Sequence, residues 1–141
     1  MVRLVLDTDV MVAAVASPSG ASRALLRAVL MRRIELAAST SLFLEYEAVL
    51  LRPERLRAAG VTDLSVAALL DALAALAVPV ALDIRWRPSG ADPDDELVLE
   101  TAVNGYAKGI ATFNARHLRA AGHQFGLLVD RPAPLLRRFV P

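Results

Sequence analysis

Two carboxylates close the first apolar run of the chain, "LVLDTDVMV", where Asp7 and Asp9 flank Thr8. Glu45 lies in "SLFLEYEAVLL", and a further acidic cluster in "ADPDDELVLE". A carboxylate carried into an apolar core is costly unless it is paired, hydrogen-bonded or bound to a cation. In an extended strand Asp7 and Asp9 face the same side, whereas a turn at Thr8 separates them. Either one also suits the N-cap of a following helix. On the next helical stretch Leu42, Tyr46 and Val49 form an apolar stripe, and Glu45 falls inside it while Glu47 does not. A Glu at the stripe's edge reaching solvent or an Arg is the alternative.

In the third cluster, Asp92 and Pro93 read as an ordinary helix start, cap followed by first helical position. Asp95 is less easily explained this way, because Val98, Leu99 and Ala102 follow it at helical spacing, so it heads the buried stripe. Glu96 is expected nearer the edge and Glu100 further round. Carboxylates brought together raise one another's pKa values, and a hard divalent cation relieves that repulsion. All-oxygen ligands suit Mg²⁺ or Mn²⁺. Asp7, Glu45 and Asp95 are therefore the expected metal and catalytic residues of a phosphoryl-transfer site. "ATFNARHL" supplies Thr112, Asn114 and His117, which suit orientation of water or phosphate, although Asn114 equally suits a helix cap. Two histidines make a His-rich zinc site a poor fit. "GASRALLRA" lacks the spacing and the Lys of a phosphate-binding loop.

These groups need elements to carry them. Strands are expected at Arg3–Leu6, Ile34–Ala38, Val78–Leu82, Gly109–Thr112 and Phe125–Val129, the third near an edge because of Pro79. Helices are expected at Val10–Ala16, Ser22–Met31, Leu42–Leu51, Asp63–Ala77, Asp94–Tyr106, Asn114–Ala121 and Pro132–Phe139, with "RPE" as punctuation. Strands separated by helices indicate a three-layer α/β/α sandwich around a mainly parallel sheet of about five strands. In such sheets ligands gather beyond the carboxyl ends of the strands, where Asp7, Ser39-Thr40 and Asn114 all fall.

At 141 residues the chain reads as a single domain, 1–141, without internal repeats or linkers. A hydrophobic fraction of 55% argues against disorder. No apolar run reaches the roughly 18–20 residues of a membrane span. Asp7 and Asp9 interrupt any signal-peptide pattern, and zero cysteines exclude disulfides, so a cytoplasmic location is expected. The net charge of +1 does not by itself mark a nucleic-acid binder. Lys108 is the only Lys among 16 basic residues; the rest are Arg, which suits bidentate contacts and equally suits plain compositional bias.

Taken together, "LVLDTDVMVAAVASPSG", "STSLFLEYEAVLLRP", "DPDDELVLETAVNGYAKGIATFN" and "RHL" resemble the PIN-domain family, in particular its bacterial toxin branch. Asp9 stands where the family's opening motif usually has Asn. The chain offers Asn114 and His117 where many members carry a fourth acid, which leaves open whether one ion or two is held. The resemblance implies a ribonuclease using Mg²⁺ or Mn²⁺, with Asp7 and Asp95 holding the ion and Glu45 as ligand or general base. Thr8 would orient Asp7 or contact phosphate. It further implies an antitoxin partner, an RNA substrate and a homodimer. Arg85, Arg87 and Arg116 are candidate phosphate contacts near the rim.

Two other readings fit parts of the pattern. Asp-Thr-Asp after a strand also resembles the haloacid dehalogenase-like phosphatases, with Asp7 as nucleophile. That family needs a Lys between its last two motifs, however, and Lys108 follows "DPDD". An inactive PIN-like module that binds RNA or protein is the third reading, disfavoured by three inward carboxylates.

Overall fold

Alternating short apolar runs and longer helical stretches leave little choice of architecture: a parallel sheet whose central strands are covered by helices on both faces. The computed structural model describes residues 1–83 and 93–141. In chain order its elements are β1 (Arg3–Leu6), α1 (Thr8–Ala16), α2 (Ala21–Leu30), β2 (Glu35–Ser39), α3 (Thr40–Leu50) and α4 (Pro53–Ala59). There follow α5 (Asp63–Leu76), β3 (Val78–Val80), α6 (Pro93–Asn104), β4 (Gly109–Ala111), α7 (Ala115–Gln124), β5 (Leu128–Asp130) and α8 (Pro132–Phe139).

The five strands form one sheet in the order β3-β2-β1-β4-β5, and every pairing is parallel. This is the expected α/β/α sandwich. The strand containing Pro79 takes the edge position, where its missing N–H costs least. Leu4, Val5, Leu6, Leu36, Ala37 and Ile110 are sealed from solvent in the central strands. Leu25, Leu42, Tyr46, Leu73 and Leu99 close over them from the helices.

Register decides what meets at the sheet's rim. Leu4, Val5 and Leu6 pair with Gly109, Ile110 and Ala111, so β1 and β4 end level. The first residues beyond those ends, Asp7 and Thr112, therefore emerge side by side. On the other side of β4, Gly109 permits the close approach of β5: a Cβ there would stand 2.4 Å from the Leu128 carbonyl oxygen.

The structure departs from the sequence expectations in four places, the first being the last strand: β5 is Leu128–Asp130 rather than Phe125–Val129, because α7 runs past Ala121 to Gln124 and Phe125 closes it. Helix α1 starts at Thr8 rather than Val10, because the Asp7 carboxylate accepts from the Thr8 amide and serves as the N-cap. The segment read as punctuation after Leu51 is a helix, α4, opened by Pro53 and ended by Gly60 in the left-handed conformation at φ 69°. None of its residues is buried, so it offers no apolar stripe to detect. Glu96 and Glu100, expected at or beyond the stripe's edge, are buried at 8% and 2% exposure. The expected cap Asp92 lies outside the described residues, as do Arg85 and Arg87. No single helix among the described residues is long and apolar enough to cross a membrane.

Candidate active site

Four chain segments deliver polar groups to one open cleft of about 690 Å³ at the carboxyl ends of the strands. Asp7, Thr8 and Asp9 arrive from the β1–α1 junction and Glu45 from α3. Asp95 comes from the first turn of α6 and Asn114 from the β4–α7 loop. Arg52 and Arg55 line the same cleft from the α3–α4 junction and α4, and Phe113 lines it beside Asn114. Thr112 is fully buried beneath this floor. His117 is exposed on α7 and is not among the cleft's lining residues. Ser39 and Thr40 also stay outside the lining: Ser39 is buried and caps α3 through the Leu42 amide at 3.2 Å.

Each carboxylate is held by its own donors. The Thr112 hydroxyl donates to Asp7 Oδ2 at 2.7 Å and accepts from the Asn114 amide at 2.9 Å. Asn114 is the N-terminal boundary of α7 but makes no side-chain cap there. Its Nδ2 instead turns to the Asp95 oxygens at 3.2 and 3.4 Å, so the capping alternative for Asn114 does not apply. The Thr8 hydroxyl donates to Glu45 Oε2, and the Phe113 amide donates to Asp9 Oδ2 at 3.1 Å. Glu45 is fixed further by its neighbour: the sealed Tyr46 hydroxyl donates to the Leu6 carbonyl and pins α3 onto the end of β1.

Electrostatics follow from this crowding. Burial, then the neighbouring Asp9 charge, pushes the Asp7 carboxyl up to about 7, against the hydrogen bonds from Thr112 and Thr8. Burial likewise raises Asp9 above the usual carboxylate range, with Asp95 adding a smaller push. Burial drives the Tyr46 phenol well above its ordinary range, so it remains a donor.

The donor set suits a hard divalent cation. It is all oxygen, its carboxylates repel, and Asp9 Oδ1 is buried without a hydrogen-bond partner among the described residues. Among those residues, no three His, Asp or Glu side chains are already gathered into a metal cage. The cleft presents separately tethered carboxylates around one opening instead.

A family model described as PIN domain matches residues 3–116, from β1 into α7, a span that includes every residue lining the cleft. The chain belongs to the PIN-domain family. No curated protein matches it. Membership points to nuclease-type chemistry in general, and the all-parallel five-stranded sheet fits the same assignment. It also sets aside the phosphatase resemblance, for which the PIN domain has a second, geometric objection. Lys108 immediately precedes β4, and its amide bonds the Arg3 carbonyl, so it sits at the opposite end of the parallel sheet from Asp7.

Sequence reasoning did not find Arg52, Arg55 or Phe113. The two arginines flank Pro53 at a spacing that turns both toward one side once α4 is known to be helical. Phe113 was visible only as an aromatic beside Asn114.

Proposed function

We propose that this PIN domain is a divalent-cation-dependent endoribonuclease that acts as the toxin of a toxin–antitoxin pair. One observation carries the reading: Asp7, Asp9, Glu45 and Asp95 share a single open cleft, and a buried Asp9 oxygen there lacks a donor. Asp7, Asp9 and Asp95 are the groups that would hold Mg²⁺ or Mn²⁺. When bound, such an ion neutralises charge on the reacting phosphate and lowers the pKa of water.

The chain's own residues do the rest. Glu45, fixed by the Thr8 hydroxyl and by the Tyr46 anchor beside it, stands at the cleft wall as the base for the attacking water. Thr112 and Asn114 hold Asp7 and Asp95 in fixed orientation. That fixed orientation reduces the rearrangement needed when substrate arrives. Arg52 and Arg55, exposed on the same cleft, offer planar contacts to phosphates flanking the cut. Hydrolysis adds water to the phosphorus and releases one ribose oxygen, with no covalent enzyme intermediate required.

The toxin role, a cognate antitoxin that closes the cleft, and a homodimer complete the proposal; they rest on the resemblance of the motif set to the toxin branch. Induced expression of wild type beside Asp7→Asn, with sequencing of RNA 5′ ends, tests it. New 5′ ends and arrested growth are expected only with wild type. Equal growth and identical RNA profiles would overturn the toxin reading.

A further inference from the structure

Behind Phe113 lies a second cavity, of about 550 Å³, that the reaction described above does not use. It separates the start of α2 from the start of α8, and Gly20, Ser22, Arg131, Pro132 and Pro134 are among its walls. Phe113 lines both this groove and the acidic cleft, so the two adjoin at one residue. Phe113 is 44% exposed, an unusual position for a Phe in a small domain. The backbone that carries the ring is tied to the acids, because the Phe113 amide is the donor to Asp9.

Charge complements shape. The Arg131 guanidinium stands 5.6 Å from the Phe113 ring centroid. The start of α2 at Gly20 lacks a side-chain cap, whereas at the start of α8 the Asp130 carboxylate accepts from the Arg131 amide at 2.8 Å. An apolar slot with an exposed aromatic side chain and the Arg131 guanidinium beside it fits one unpaired nucleotide. The base stacks on an aromatic side chain, and the phosphate faces Arg. Arg131 and the prolines of α8 lie beyond the residues 3–116 shared with the family model, so part of this groove comes from outside the matched segment.

We infer that Phe113 and Arg131 form a nucleotide subsite in which a base flanking the scissile phosphate stacks on Phe113 and fills the groove between α2 and α8. The inference rests on the nuclease reading, and the test separates the two. A single-stranded RNA oligonucleotide with one cleavage site is prepared as a set in which each base in turn is replaced by an abasic nucleotide. Wild type, Phe113→Ala, Phe113→Tyr and Arg131→Gln are assayed with Mn²⁺. In wild type, one abasic position next to the cut is expected to raise KM about tenfold, with kcat little changed, as loss of one base–aromatic stack requires. Phe113→Ala should show the raised KM on the intact RNA and no further penalty at that abasic position. Phe113→Tyr should keep the wild-type pattern, and Arg131→Gln should raise KM at every position equally.

A uniform abasic profile in wild type, or the same penalty in wild type and Phe113→Ala, would overturn the subsite while leaving the nuclease intact. Absence of cleavage by folded wild type would instead overturn the nuclease reading. In that case the same oligonucleotides carrying 2-aminopurine decide the subsite. Quenching lost in Phe113→Ala supports it, and no quenching in wild type overturns it.

Discussion

Asp7 and Thr112 lie 105 residues apart in sequence, yet the Thr112 hydroxyl donates to Asp7 Oδ2 at 2.7 Å. They meet because Leu6 pairs with Ala111, and each is the next residue along its strand. The bond works against the burial that lifts the Asp7 carboxyl, keeping its charged form within reach near neutral pH. Thr112→Val preserves volume but removes that donor. It is expected to shift the rising limb of the pH–rate profile upward and to lower cleavage about tenfold at pH 7. Thr112→Ser should restore both, and the full pH profile is the measurement.

The lifted Asp7 carboxyl makes the metal-free fold sensitive to pH in a defined direction. Its folded value of about 7 exceeds the ordinary value of 3.8, so the folded state holds the proton more tightly than the unfolded state. Stability is therefore greatest below about 4 for this group and falls as pH rises through 7. Asp9, raised for the same reason, acts in the same direction. Asp7→Asn should match wild type near pH 4 and be more stable by roughly 1–3 kcal/mol at pH 8 without divalent ions. Denaturant melts at the two pH values check this. Adding Mn²⁺ at pH 8 should stabilise wild type more than the variant.

Asn114 stands in the cleft beside four carboxylates and its side-chain amide donates to Asp95, where an acid would add a fifth. Asn114→Asp replaces a donor with a charge. The variant is expected to lose roughly 1 kcal/mol or more of metal-free stability at pH 8 and to recover it with Mg²⁺. Calorimetric titration of both proteins reads the change directly, as tighter cation binding in the variant.

Arg52 and Arg55 line the same cleft as the acids. If they hold flanking phosphates, Arg52→Gln and Arg55→Gln should each raise KM for RNA with little change in kcat. Each should also lower the magnitude of the salt slope of binding by about 0.7, the single-strand value per phosphate contact. Binding measured over a series of salt concentrations checks both.

Tyr46 anchors α3 by donating to the Leu6 carbonyl from a sealed position. Tyr46→Phe keeps the ring and leaves that carbonyl without its donor, so a loss of about 1–2 kcal/mol is expected by equilibrium unfolding. Activity should fall further than stability explains, because Glu45 is the adjacent residue on the same turn.

Much of this arrangement was legible in the sequence because it depends on local pattern. Glu45 inside the stripe of Leu42, Tyr46 and Val49, and Asp95 ahead of Val98 and Leu99, gave away their direction from helical period alone. Pro79 placed its strand at an edge. What stayed hidden depends on contacts between distant segments. The Asp7–Thr112 bond needs the β1–β4 register, which apolar runs of three or four residues do not encode singly. Helix α4 buries no residue and shows no stripe, so Arg52 and Arg55 went unnoticed as cleft residues. Glu100 is buried although it stood outside the expected stripe. Helix α6 packs against α3, α7 and three strands, so its covered surface is wider than one stripe.

The central claim is that the carboxylates of one cleft, with a divalent cation, cut RNA. The measurement that bears on it most directly is cleavage of a labelled single-stranded RNA by purified wild type and Asp7→Asn, each with Mn²⁺ and with chelator. A small phosphomonoester serves as the parallel substrate. The account predicts RNA cleavage by wild type with Mn²⁺, none with chelator, a rate at least 100-fold lower for Asp7→Asn, and no turnover of the monoester. Cleavage that persists in chelator or survives unchanged in Asp7→Asn would contradict it.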